Sequence, residues 1–422
     1  MTNKSSSKYV GTYIDLFSGC GGLSLGLGNA GWQGLFAVEK DKMAFETFHR
    51  NMVIEGKRYS HFDWPSWLPQ SATTIQNLLK KYPDQLKALR GKVDLIAGGP
   101  PCQGFSMAGM RNSKDPRNKM SQEYIKMVDI IRPKFLVLEN VRGFNVAFKN
   151  GKGKAKQIPY SQIVRKAIED LGYKVSSDVI TSSDFGVPQI RTRFIMIGIR
   201  EDIQFHECPI KTLHSQRESF LNSKGLPLTG VTVKDAISDL EHSRRGAKLI
   251  HHSGDESSGF KKLDYTPPKE LTHFQKLMRD GISSKKPNSL RIARHRDSTV
   301  DKFKLIQNLC TPGRSLSDKD KDLIGTKKHS ICVLDPNKPS RTLTTLPDDI
   351  LHYKEPRILT VRESARIQSF PDDYEFTGKY TTGGTSRTKE CPRYTQVGNA
   401  VPPLLGEAIG KVLFQLTINP SN

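Results

Sequence analysis

Short apolar runs alternate with stretches of helical period along the chain up to about residue 200. Tyr13–Phe17 reads as a strand that runs into the turn SGCGG, and Leu23–Ala30 as the helix after it. Leu35–Val38 is a second strand ending at Glu39, followed by a helix over Lys42–Arg50. Val93–Ala97 and Phe135–Leu138 are further apolar runs, closed by polar or Gly/Pro residues and separated by a helical stretch at Gln122–Ile131. Phe194–Ile199 is another buried-strand candidate. Strands alternating with helices predict an α/β domain in three layers, a doubly wound and mostly parallel sheet.

After Arg200 the pattern weakens. Residues 201–300 are rich in Lys, Arg, His and Ser, with two ordered-looking segments, Val233–Leu240 behind Thr232 and Val300–Asn308. From Arg357 periodicity returns. Thr360 opens TVRESARIQ with Glu363 three residues on, a capping box. GNAVPP at 398–403 precedes an apolar helix, Leu404–Leu416. This predicts a large domain over 1–200 plus 395–422 and a smaller one over 201–394.

Charge changes the picture most. Of 422 residues, 65 are Lys or Arg and 43 Asp or Glu, a net +22, which suggests a polyanionic partner. Six cysteines are too few for a disulfide scaffold, and none lies in a CxxC pair or a Cys/His cluster of metal-ligand spacing. No window approaches the ~20 consecutive apolar residues of a membrane span, and MTNKSSSKYV lacks a secretory apolar stretch. A cytosolic protein with reduced thiols and no metal is the expectation.

Candidate chemistry sits at strand ends. DLFSGCGGLSLGLGNAG, Asp15–Gly31, is strand, glycine turn and helix; glycine permits a sharp turn and close approach of a ligand. Glu39 ends the next strand, where a carboxylate can accept from a ribose diol. The turn is not GxGxxG, so a pyrophosphate need not be the ligand. GGPPCQGFS, Gly98–Ser106, puts Cys102 at the carboxyl end of a strand, as a nucleophile or as a small inert side chain. Glu139–Asn140 ends another strand; Glu139 can serve as an acid, a hydrogen-bond partner or a loop charge. In PQIRTRF, Arg191 and Arg193 are two apart at a strand start, hence on one face, where they can hold phosphate or a carbonyl oxygen or be solvated.

These segments, with RESARIQSFPD and QVGNAVPP, follow one another in an order that resembles the cytosine-C5 DNA methyltransferases, of the bacterial restriction-modification type. The resemblance runs from Tyr13 to about Arg200 and from about Lys338 to Leu416. It implies a Rossmann-like methyltransferase domain with a small target-recognition domain, S-adenosylmethionine as methyl donor and double-stranded DNA as substrate. Phe17 would stack on the adenine of the donor and Glu39 would hold its ribose. Gly19 and Gly21 would wrap its methionine part, with Asp15 and Pro100 beside them. Asp63, in His61-Phe62-Asp63-Trp64, would sit near the adenine amino group, and Asn399 and Val401 would close the pocket. Cys102 would be the nucleophile, Glu139 would contact N3 and the exocyclic amine of cytosine, and Arg191 and Arg193 would address the other side of the ring and flanking phosphates. Met107–Lys119, polar and basic, has the makings of a loop that closes over DNA.

The resemblance further implies a monomer in the bacterial cytosol, without membrane contact, and a cognate restriction endonuclease acting on the same site. A transfer-RNA cytosine methyltransferase would carry a CFT tripeptide in its middle region, which this chain lacks. A catalytically silent paralogue would have lost the Cys, the Glu or the glycine turn. Residues 201–356, with Arg291, Arg294, His295, Arg296 and Arg314, are expected to choose the DNA sequence.

Overall fold

The computed structural model describes residues 9–101, 119–147, 158–251, 259–282, 286–326, 328, 330–382, 386, 389–418. Its first half winds as β1 (Gly11–Leu16), α1 (Gly22–Asn29), β2 (Trp32–Val38), α2 (Lys42–Met52), α3 (Ile75–Lys81), α4 (Pro83–Ala88), β3 (Leu95–Gly98), α5 (Lys119–Ile131), β4 (Phe135–Val141), α6 (Tyr160–Glu169), β5 (Tyr173–Thr181), β6 (Gln189–Ile190) and β7 (Thr192–Arg200). Then come α7 (Pro209–Ser215), α8 (Arg217–Ser223), α9 (Val233–Ile237), β8 (Lys248–His251), β9 (Lys261–Asp264), α10 (His273–Met278), α11 (Asp297–Leu309) and α12 (Asp318–Ile324). The chain ends with β10 (Cys332–Val333), β11 (Ser340–Arg341), β12 (Ile350–Leu351), α13 (Val361–Ile367), α14 (Arg393–Asn399) and α15 (Pro403–Ile418).

Two compact units result. The first is Met1–Thr181, Thr192–Arg217 and Leu405–Asn422; the second is Ser182–Arg191 and Glu218–Leu404. Sequence patterning put the divisions at 200/201 and 394/395. The structure moves Ser182–Arg191 into the second unit because β6 pairs with β11 rather than joining the large sheet.

The first unit is built on a six-stranded sheet in the order β2-β1-β3-β4-β7-β5. The pairings β1–β2, β1–β3 and β3–β4 are parallel. The last two strands turn the sheet mixed, with β7 antiparallel to β4 and to β5. The apolar runs are the strands buried on both faces, as parallel strands are. Ile14, Leu16, Ile96, Leu136 and Leu138 join helix residues such as Tyr124, Met127 and Ile168 in one core. The edge strand β5, YKVSSDVIT, is largely half-exposed, so its polar content escapes an apolar-run reading. Helix α15 returns to this unit, where Trp32 Nε1 donates to the Gly410 carbonyl at 3.0 Å.

In the second unit, the capping boxes on α9 (Thr232 with Asp235) and on α13 (Thr360 with Glu363) form as the sequence signals. Helix α13 is buried along its whole length, and its charges are answered inside the protein. Arg366 pairs with Asp239 and Asp372, all three essentially unexposed. Arg357 pairs with Glu355 and Glu363.

Candidate active site

The carboxyl ends of β1, β2, β3 and β4 lie on one edge of the first unit's sheet, and β7, being antiparallel, brings its beginning to the same edge. From β1 the chain goes to β2 on one side and later to β3 on the other. Open α/β sheets bind ligands at such a reversal.

The turn after β1 is held in an uncommon conformation. Phe17 has φ 65°, a left-handed value that costs energy for an aromatic residue. Gly19 and Gly21 follow with φ 56° and 92°, where glycine alone is unstrained. Glu39 ties this turn to the end of β2. Its Oε2 accepts from the Gly19 N–H at 3.0 Å and its Oε1 from the Asp41 N–H at 2.7 Å. Burial pushes the Glu39 pKa above the usual carboxylate value, and the two amides oppose that shift.

The turn fits a nucleoside-containing donor. Each Glu39 oxygen is engaged by one of these amides and keeps a second lone pair for a hydroxyl. Ser18 Oγ is buried without a hydrogen-bond partner among the described residues. A Cβ placed on Gly19 would meet nothing within 4 Å, so the turn borders open space.

Asp15 and Asp63, also expected in this pocket, make contacts of their own. Asp15 is 1% exposed and accepts from Ser24 Oγ at 2.5 Å, so its carboxyl braces α1 beneath the turn. Burial foremost, with the Glu39 charge adding to it, raises its pKa to about 7. Asp63 is exposed, and its N–H donates to the Gly34 carbonyl at 2.8 Å. That contact, with the parallel bridge of Phe62 to Gly34, sets Asp63 beside the start of β2, while Glu39 follows its far end. Thr73, whose N–H donates to the Glu39 carbonyl at 2.7 Å, approaches that end instead.

At the end of β3 the chain runs through Gly98, Gly99, Pro100 and Pro101. Cys102 and residues 107–118 of the expected loop lie outside the described residues. The approach to Cys102 is nevertheless fixed. Asn140, 1% exposed, donates from Nδ2 to the Pro100 carbonyl at 3.1 Å. Beside it, Glu139 Oε1 meets Arg193 Nε at 2.8 Å, with side chains 14% and 12% exposed. A Cβ on Gly99 would come within 2.8 Å of Glu139 Oε2, so the carboxylate lies directly against Gly99. Glu139, Arg193 and the Pro-Pro approach to Cys102 thus share one site.

Arg191 does not share a face with Arg193. It falls between β6 and β7 and belongs to the second unit. The residue is 2% exposed, and its guanidinium donates to the Leu343 carbonyl at 3.4 Å. The two-residue spacing fails because β7 begins only at Thr192.

The second unit holds a polar relay that the sequence reading missed. Gln189 Nε2 donates to Gln368 Oε1 at 2.9 Å, and Gln368 Nε2 to the Val397 carbonyl at 2.7 Å. Gln189 Oε1 accepts from the Leu343 N–H at 2.8 Å. Both glutamines are fully buried. They tie QIR, RESARIQ and QVGNAV together within this unit, where Asn399 stands exposed at the end of α14 and Val401 is half-buried. Among the described residues, no group of three or more His, Cys, Asp or Glu could hold a metal, and no helix is long and apolar enough to cross a membrane.

Residues 11–415 match the family model of C-5 cytosine-specific DNA methylase. The chain is 33% identical to the Type II methyltransferase M.DdeI of Desulfomicrobium norvegicum over 94% of its own length and 87% of that protein's. It is also 33% identical to the Type II methyltransferase M1.HphI of Haemophilus parahaemolyticus, over 97% and 88%. In fold it resembles a candidate DNA modification methyltransferase encoded within an E. coli prophage, at TM-score 0.60 and 24% identity over 96% of this chain and 99% of that one.

Proposed function

The chain belongs to the C-5 cytosine-specific DNA methylases, and from that premise we propose that it methylates a cytosine flipped out of a specific duplex sequence, with S-adenosylmethionine as donor and Cys102 as nucleophile. One observation carries the reading: Glu139, fixed by Arg193, stands against Gly99, three residues before Cys102.

Cytosine C5 is a weak nucleophile. Addition of the Cys102 thiolate at C6 forms an S–C6 bond and displaces the C5–C6 π pair toward C5. Glu139, hydrogen-bonded or sharing a proton at N3, takes up the charge that this creates on the ring. The donor, when bound, supplies an electrophilic methyl group. Loss of the C5 proton to solvent and expulsion of the Cys102 thiolate restore the aromatic ring and the free enzyme. Extrusion of the base from the stack costs a few kcal/mol and exposes C6 to the thiolate. Glu39 would hold the donor's ribose, with Phe17, Gly19, Gly21 and Pro100 around the remainder. Arg193 orients Glu139.

The second unit carries target recognition. The Type II names of the two relatives support a place in restriction-modification, protecting DNA in the cytosol at a site also cut by a cognate endonuclease.

The test is covalent trapping. Duplex DNA carrying 5-fluorocytosine should capture the wild-type chain, because fluorine cannot leave as a proton. Cys102→Ser should bind DNA but neither turn over nor be trapped, since a hydroxyl is far less ionised than a thiol. Normal turnover by Cys102→Ser would remove Cys102 from the mechanism.

A further inference from the structure

Helix α1 follows the glycine turn, and its residues Gly22–Leu27 are buried. Helix α15 lies on it backbone to backbone. A Cβ placed on Gly406 would stand 3.2 Å from the Leu23 carbonyl oxygen and 3.4 Å from the Cα atoms of Leu23 and Gly26. A Cβ on Gly410 would stand 2.7 Å from the Ala30 Cβ. Gly406 therefore meets the first turn of α1 and Gly410 its C-terminal end, so the two helices run side by side in the same direction. Glycine at both places lets the chains come this close.

The contact at Gly406 leads into the turn after β1. The Leu25 N–H donates to the Gly21 carbonyl at 2.8 Å, and the Gly21 N–H to the Ser18 carbonyl at 3.0 Å. The Gly19 N–H, between them in the chain, donates to Glu39. No side chain among the described residues caps α1, and the first amides of a helix have no partner within it. Any displacement of the first turn of α1 moves Gly21 and, through it, Gly19.

Helix α1 has little room to retreat from α15. Gly28 lies on its opposite side, five residues from Leu23 and two from Gly26. There it meets the His61 ring, where a Cβ would come within 2.7 Å of Cε1. His61 is itself held, with Nδ1 2.7 Å from the Tyr59 carbonyl and Nε2 2.7 Å from the Tyr13 hydroxyl. Helix α15 is tied in turn by Trp32, whose Nε1 donates to the Gly410 carbonyl. A methyl group added at Gly406 thus presses on backbone that is supported from behind.

We propose that Gly406 is a positioning residue for the methyl donor: it lets α15 set the first turn of α1, and through it the glycine turn that receives the donor's methionine part. This rests on the methyltransferase reading above and gives the C-terminal helix a part in donor affinity.

The test uses the full chain. S-adenosylmethionine binding is measured by calorimetry, methyl transfer to duplex DNA by steady-state kinetics, and stability by thermal melting. Gly406→Ala should bind S-adenosylmethionine about tenfold more weakly, the scale of one hydrogen bond to a charged group, and raise its KM, with kcat at saturating donor unchanged. Gly410→Ala meets the closer contact, but at the end of α1 remote from the turn. It should lower the melting temperature and leave donor affinity unchanged, and Ala30→Gly in the same chain should restore part of the melting temperature. Alanine is the better helix former at both positions, so neither loss comes from a weaker α15.

Unchanged donor affinity in Gly406→Ala overturns the proposal. So does a loss of donor affinity in Gly410→Ala that tracks its loss of melting temperature, since α15 would then act only through stability. A further measurement needs no variant. S-adenosylmethionine should slow amide hydrogen exchange of wild type at 406–410 as well as at 19–27. Unchanged exchange at 406–410 overturns the proposal, whether or not Gly406→Ala folds. If wild type binds no S-adenosylmethionine, the donor reading fails and this inference with it. If it binds and Gly406→Ala matches it, only the role of Gly406 fails.

Discussion

Arg193 Nε lies 2.8 Å from Oε1 of Glu139, a pair formed across the antiparallel β4–β7 ladder. Glu139 stands opposite Ile195 and Arg193 opposite Val141, so the two side chains meet diagonally at the sheet edge. Removing one partner of a buried pair leaves the other charge uncompensated. Arg193→Ala should therefore misplace Glu139 and lower single-turnover methyl transfer by about a hundredfold, the lower end of what a positioned acid contributes. S-adenosylmethionine affinity, measured by calorimetry, should hold. Arg193→Lys should recover part of the rate, since it restores the charge without the planar fork. A wild-type rate for Arg193→Ala would mean that Glu139 is oriented by something else.

Glu39 has two tasks. It accepts from the amides of Gly19 and Asp41 and, on the proposed reading, from a ribose diol. Glu39→Gln keeps the volume but turns an amide donor toward one of those N–H groups. The expected result is weaker donor binding by roughly 1–3 kcal/mol, the scale of a buried polar group left unpaired. Because the turn itself is held by the carboxylate, the melting temperature without donor should drop as well. Donor affinity unchanged beside a lowered melting temperature would assign Glu39 to the turn alone.

The Gln189–Gln368 relay predicts coupling between distant motifs. Gln368→Leu leaves the Val397 carbonyl and the Gln189 side chain without their buried partners, a cost of about 1–3 kcal/mol for each orphaned group. Gln189→Leu orphans Gln368 in the same way. The double variant should cost less than the sum of the singles by denaturant unfolding, because the second substitution removes a group already stranded. Strict additivity would show that the two side chains do not act through each other.

The contrast between Arg191 and Arg193 shows where sequence reading stops. The strand ends, the glycine turn, Glu39 and Glu139 were legible because each depends on a local pattern: an apolar run closed by a particular residue. The face of Arg191 was not, because it depends on where β6 yields to β7, which the non-local pairing of β6 with β11 decides. Strand β5 was invisible for a related reason. An edge strand needs no apolar run, and Ser176, Ser177 and Asp178 make it polar. Arg291 looked like a base reader because nothing local announces that Phe260 and Tyr380 will close over it.

Asp15 makes the stability of the first unit depend on pH. Its carboxyl, unexposed at the end of β1, has a pKa raised from 3.8 to about 7, chiefly by burial. Below pH 4 the group is protonated in both folded and unfolded chains and has no differential effect. Between pH 4 and 7 the unfolded chain releases the proton while the folded chain keeps it, so this group lowers stability as pH rises. Above pH 7 both forms are ionised and the loss is complete, on the order of 4 kcal/mol at 1.36 kcal/mol per pKa unit. Asp15→Asn cannot ionise and retains a carbonyl oxygen to accept from Ser24. The stability of Asp15→Asn relative to wild type, by urea unfolding of the donor-free chain, should therefore climb from pH 4 to pH 7 and level off beyond. A difference that stays flat across that window would mean that Asp15 is not carried in its protonated form.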